Sequence, residues 1–175
     1  MLLETLVEPE TAVSGKLRLF SLYVDFAASA HARRTASAIA RLAGPRWPSS
    51  AEMWKLDSVS ASDAIRKMIN EDAAEADALI IAVGAMNGRE PKLIEWLNSL
   101  AAGQRSRPVP GLLVGLLGDA GYRSQELERT AQQLISCARQ IDREPVLHWM
   151  EGALMDDSDW LKTSVTALLT RKQAA

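Results

Sequence analysis

Cysteine is nearly absent from this chain. Cys137 is the only one, so no internal disulfide and no cysteine metal cluster can form, and a reducing, cytoplasmic setting is expected. Histidine is almost as scarce. With only His31 and His148, and no acidic pattern close to either, a catalytic metal site is not expected. A hydrolase needs a nucleophile with an adjacent base, and no Gly-x-Ser-x-Gly occurs. No Gly-x-Gly-x-x-Gly follows the first strand, which removes the usual dinucleotide signature. Long apolar runs are missing too: none approaches the roughly 18 residues that span a bilayer. The opening residues have no basic segment, and Glu4 and Glu8 interrupt their apolar character, unlike a signal peptide. Neither sign of charge is in excess. The formal net charge is -2 and Lys and Arg are scattered, so neither nucleic acid nor an anionic membrane is an expected partner.

What remains is an ordinary globular composition, 47% hydrophobic and 24% charged over 175 residues, enough for one domain with a sizeable core. Residues 1–15 read as an arm and 16–175 as a single domain. Strands are expected at Leu17–Val24, Glu52–Asp57, Ala78–Val83, Gly111–Gly118 and Pro145–Met150, each apolar or alternating and rich in strand-forming residues. Helices follow them. Ala28–Ala43 carries a stripe of Ala32, Ala36, Ile39, Ala40 and Ala43. Asp63–Ala74, preceded by the cap residues Ser58–Ser62, points Ile65, Met68 and Ile69 inward. Lys92–Ala101 presents Leu93, Trp96, Leu97 and Leu100. A helix capped by Ser124 runs to about Ile141 and includes Cys137 as a packed residue. A last one starts within Asp156–Asp159 and ends near Arg171.

Strict alternation of strand and helix, with wholly apolar third and fourth strands, predicts a parallel sheet covered on both faces. For five strands the flavodoxin-like, doubly wound order 2-1-3-4-5 is expected, a three-layer α/β fold. Ligands of such sheets bind at the carboxyl ends of the strands, near the switch between the first and third. That rule nominates three loops. The first supplies Asp25, Ser29 and His31, the second Gly84, Asn87 and Gly88, and the third Asp119 and Gly121. All are candidates for holding a nucleotide-like small molecule, and none is a candidate catalyst. Asn87-Gly88 is equally a turn signal in its own right.

The segment Ala76-Asp77-Ala78-Leu79-Ile80-Ile81-Ala82, followed by Asn87-Gly88, Pro91 and a helix bearing Trp96-Leu97, resembles the flavin-contacting segment of NADPH-dependent FMN reductases. The motif likeness covers residues 76 to 97. It implies FMN as cofactor, Asn87 and Gly88 against the isoalloxazine, a flavin-dependent NAD(P)H oxidoreductase activity, and a homodimer. Gly84 and Met86 stand where that family has Pro and Tyr. The first loop, Asp25-Phe26-Ala27-Ala28-Ser29-Ala30-His31, has one hydroxyl, no glycine and a carboxylate where the family has a Ser-rich phosphate loop. A carboxylate there repels a phosphate. The chain is also similar, over roughly residues 17 to 117, to bacterial flavodoxin-like proteins with no assigned activity. They share Tyr23-Val24-Asp25-Phe26, Met53-Trp54-Lys55-Leu56-Asp57 and the Asp72–Asp77 lead into the third strand.

A phosphorelay receiver has the same topology. It needs an Asp after the third strand and a Lys after the fifth, where this chain has Val83-Gly84-Ala85 and His148-Trp149-Met150. Two readings are left. One is a degenerate flavin or nucleotide crevice that binds FMN weakly. The other is a ligand-free regulatory or interaction domain on the same scaffold. Trp47, in a loop beside Pro48, is expected to be an exposed aromatic.

Overall fold

The computed structural model describes residues 15–86, 88–103, 107–118, 124–150 and 158–175. In chain order the elements are β1 Leu17–Tyr23, α1 Phe26–Ala43, β2 Ser49–Lys55, α2 Asp63–Glu75, β3 Ala78–Val83, α3 Glu90–Ala102, β4 Gly111–Leu117, α4 Gln125–Gln140, β5 Arg143–Trp149 and α5 Asp159–Ala174, with a short 3-10 helix at Leu56–Ser60. All strands are parallel, and the sheet order is β2-β1-β3-β4-β5. This is the expected flavodoxin-like arrangement.

The central strand β3 is buried along its whole length because it pairs with β1 and β4 and is covered on both faces. Leu79, Ile81 and Val83 point to the layer of α2, α3 and α4. Ala78, Ile80 and Ala82 point to the layer of α1 and α5. Each large aliphatic side chain buried in this way stabilises the fold by about 1.5–3 kcal/mol. On the α1 side the packing is close because Ala28, Ala32 and Ala36 offer no bulk, and Ile39 fills the space at the end of the stripe. Ala40 is only half-buried. On the other side Trp96 stacks on Phe20 with centroids 6.3 Å apart. The indole N–H of Trp96 donates to Asn70 Oδ1 at 2.8 Å, which satisfies the one polar atom this buried ring brings.

Several expectations shift. β2 runs Ser49–Lys55 rather than Glu52–Asp57. As an edge strand it pairs with β1 alone, from Leu17↔Ser49 to Tyr23↔Lys55, so its partner sets its extent. β5 begins at Arg143 for the same reason, its first pair being Gly111↔Arg143. Met68 points outward and is 44% exposed. The inward stripe of α2 is Ile65, Ile69 and Ala73, spaced by four, and Met68 lies about 100° away from Ile69 around the helix. Trp47 is buried, not exposed. Its ring packs where a side chain on Gly15 would stand, and the Lys172 ammonium lies 5.7 Å from its centroid. α5 is preceded by Ser158, which makes no side-chain capping bond, and Asp156 and Asp157 lie outside the described residues. No helix among the described residues is long and apolar enough to cross a membrane.

Candidate functional site

The carboxyl ends of β1 and β3 bring the first two nominated loops together. Asp25 leaves β1 in extended conformation and becomes the N-cap of α1, its Oδ1 accepting from the Ala28 N–H at 2.8 Å. A carboxylate is favoured there twice, by the orphan amide and by the positive end of the helix dipole. The same carboxylate lies over Gly84 at the end of β3. A Cβ added to Gly84 would stand 2.9 Å from Asp25 Oδ2, so glycine at this position makes room for the cap. Ser29 is buried one turn on, and its hydroxyl donates to the Phe26 carbonyl at 2.6 Å. His31 is half-buried in the second turn of α1, while Arg33 and Arg34 are exposed. Gly88 has φ +78 and is exposed, a left-handed turn position that favours glycine. Asn87, Asp119 and Gly121 lie outside the described residues.

This geometry bears directly on FMN. In a phosphate-binding loop the amides and hydroxyls at the start of the helix point at the ligand. Here the Ala28 amide and the Ser29 hydroxyl are both engaged within the chain. A phosphate brought to about 4 Å from the Asp25 carboxylate would meet a repulsion of about 4 kcal/mol per unit charge near a protein surface. The attraction of a helix N-terminus offers about 2 kcal/mol at most. The repulsion wins, and the residues present do not fit the phosphate of FMN. The ring side of the crevice differs. Met86 is buried in the core, and Phe26 stands 89% exposed at the first position of α1.

The structure adds an ionic cluster at this end that the sequence did not suggest. Asp57, in the 3-10 helix after β2, accepts from Lys92 Nζ at 3.3 Å and lies 3.9 Å from Arg89 Nε and 3.6 Å from Lys55 Nζ. The hydrogen bond from Lys92 and the three positive charges hold its carboxyl below the usual carboxylate range, against the opposing effect of burial. Arg129 of α4 also pairs with Glu90 through two bonds, at 3.2 and 3.1 Å. Together these pairs fasten the start of α3 to its neighbours on both sides. The relevant residues are far apart in sequence, so no local spacing could have revealed them. Cys137 is a packed residue: its Sγ lies 3.7 Å from the Leu97 carbonyl, and burial pushes the thiol up to about 11. Among the described residues no group of three or more His, Cys, Asp or Glu side chains could hold a metal ion. His148 stacks on Trp160 of α5 with centroids 4.3 Å apart.

No family model matches the chain, and no curated protein matches it. Solved structures do. An oxidoreductase from Corynebacterium diphtheriae superposes with a TM-score of 0.55 at 13% identity, over 90% of this chain and 96% of that one. The fold is flavodoxin-like. A short-chain flavodoxin associated with a non-canonical PDU bacterial microcompartment matches at TM-score 0.49 and 11% identity, over 90% of this chain and 95% of that one. A WrbA-like flavodoxin from Agrobacterium tumefaciens matches at 0.48 and 16%, over 90% and 96%. At such identities the likeness extends to the flavodoxin-like fold and stops there.

Proposed function

We propose that this flavodoxin-fold protein has a degenerate crevice that takes a flat, flavin-type ring weakly and does not hold FMN through its phosphate. The observation that carries this reading is the Asp25 carboxylate, set on the Ala28 amide and over Gly84, where a phosphate would otherwise meet the start of α1. The ring half of the reading is supported by the exposed Gly88 turn and by Phe26, whose ring stands exposed at the start of α1. A bound flavin would itself supply electron-transfer chemistry with NAD(P)H. The chain's part is to cover one face of the ring and exclude anions from the helix terminus.

Fluorescence titration with FMN and riboflavin, on the wild type and on Asp25→Ser, tests this. Serine keeps a capping oxygen and removes the charge. Wild type is expected to bind riboflavin at least as well as FMN, both weaker than about 10 μM. Asp25→Ser is expected to tighten FMN by about tenfold or more, equivalent to ~1.4 kcal/mol, and to leave riboflavin unchanged. Protein that purifies yellow with tightly bound FMN would overturn the reading. Absence of binding for both ligands, in both proteins, to about 1 mM would sink it too. That outcome favours the second reading, an interaction domain without a ligand, for which the exposed Phe26 is the contact to mutate.

A further inference from the structure

The opposite end of the sheet carries a cleft of about 990 Å³, formed where β1, β3, β4 and β5 begin and α3 and α5 end, and extending along α2 back to Asp63. That volume is at the upper end of the range for small-molecule sites. In a chain of net charge -2, the described lining of this cleft carries seven Lys and Arg side chains against four Asp and Glu.

The arrangement is built, not incidental. Arg143, at the start of β5, is 5% exposed and donates to the Ala73 carbonyl at 2.9 Å and the Leu112 carbonyl at 3.3 Å. It lies flat against β4 because residue 111 is glycine: a Cβ there would stand 2.9 Å from Arg143 NH1 and 2.6 Å from the Asp77 carbonyl oxygen. Arg107 donates to the Ala74 carbonyl at 2.7 Å. Both guanidiniums thus meet the last carbonyls of α2. Asp77, at the threshold of β3, accepts from Lys172 Nζ at 2.7 Å and lies 3.5 Å from Arg107 NH2. Its other oxygen takes the Arg18 amide at 2.8 Å.

The charges do not balance. Arg107, Arg143 and Lys172 face one buried carboxylate and a helix end worth about half a negative charge. Glu75 is engaged with Arg18 at 2.6 Å. Asp142 is exposed and attracts the two guanidiniums. Lys16 is exposed on the same cleft and makes no ion pair among the described residues. Consistent with a positive surplus, burial and then the neighbouring Arg107 push Arg143 down to about 9, where it remains charged at neutral pH. A charge held away from water calls for a counter-charge.

We infer that this cleft binds a small multivalent oxyanion, of the phosphate or polycarboxylate class, on Arg107, Lys172 and Lys16, with Arg143 behind them. The site is separate from the crevice at the carboxyl ends of the strands and does not depend on what that crevice holds.

Calorimetric titration of the full chain with inorganic pyrophosphate and with citrate, at ionic strength held constant with chloride, tests the inference. Saturable binding tighter than about 1 mM is expected for at least one of them. The tighter of the two assigns the class. Lys16→Gln and Lys172→Gln are each expected to weaken it by about tenfold, equivalent to ~1.4 kcal/mol, while Lys162→Gln, at an exposed lysine outside the cleft lining, leaves it unchanged. Lys16 is exposed, so its replacement leaves the fold intact, and a thermal melt verifies both variants. No saturable heat with either anion to about 10 mM, or an unchanged affinity in both variants, overturns it.

Discussion

The two ends of this sheet treat charge in opposite ways. At the carboxyl end one carboxylate, Asp25, caps the N-terminus of α1 on the Ala28 amide and sets a negative charge there. At the amino end two guanidiniums close the C-terminus of α2, and more positive charge collects than the chain's own carboxylates offset. Both choices obey the helix dipole. The difference lies in what meets each helix end: a single carboxylate at one and two guanidiniums at the other. A parallel α/β sheet gathers helix N-termini at its carboxyl end, which is why anion sites are usual there. In this chain the anion-attracting surface has moved to the other end.

The largest test of that contrast is Asp77→Ala. It removes the acceptor shared by Lys172, Arg107 and the Arg18 amide while leaving their charges buried. A loss of about 3–5 kcal/mol is expected in urea unfolding. A loss below about 1 kcal/mol would mean that water already screens these cations, and the amino end would then be no different from an ordinary surface.

The two glycines come next. Gly111→Ala drives a methyl to within 2.6 Å of the Asp77 backbone oxygen, which cannot rotate away, and is expected to cost about 2–3 kcal/mol. Gly84→Ala meets a side-chain carboxylate at 2.9 Å. That group can swing aside at the expense of the α1 cap, about 1 kcal/mol. Thermal melts of the pair compare a backbone obstacle with a movable one, and equal losses would show the Asp25 cap to be as rigid as the sheet.

The smallest effect concerns Asp57. Its carboxyl is held below the usual range in the folded protein, so its contribution is present above that range and is lost as pH falls through the lowered folded value. Its side chain is 43% exposed, which limits the gain to about 0.5 kcal/mol or less and makes it sensitive to salt. Asp57→Asn should flatten the acid limb of a stability-against-pH curve slightly at low ionic strength and leave it unchanged in about 1 M salt.

Legibility in the sequence followed the range of the interactions. The alternation of elements, the buried β3 and β4, and the caps Ser62 and Ser124 rest on neighbours within a few residues, and the structure has them where they were expected. Edge strands did not read as well, because β2 and β5 take their limits from a partner strand. Trp47 looked exposed beside Pro48 and is instead covered by Gly15 and Lys172. The Asp25 carboxylate was visible in the sequence as an obstacle to phosphate. Its seat on Gly84 was not, since the two residues lie on different strands.

The sequence alone therefore determined the layer architecture and the strand order, because periodicity, end signals and residue chemistry act locally. Only the tertiary structure decided where charge accumulates. Asp77, Arg107, Arg143 and Lys172 come from four separate parts of the chain, and they meet because a parallel sheet brings the starts of its strands to one edge.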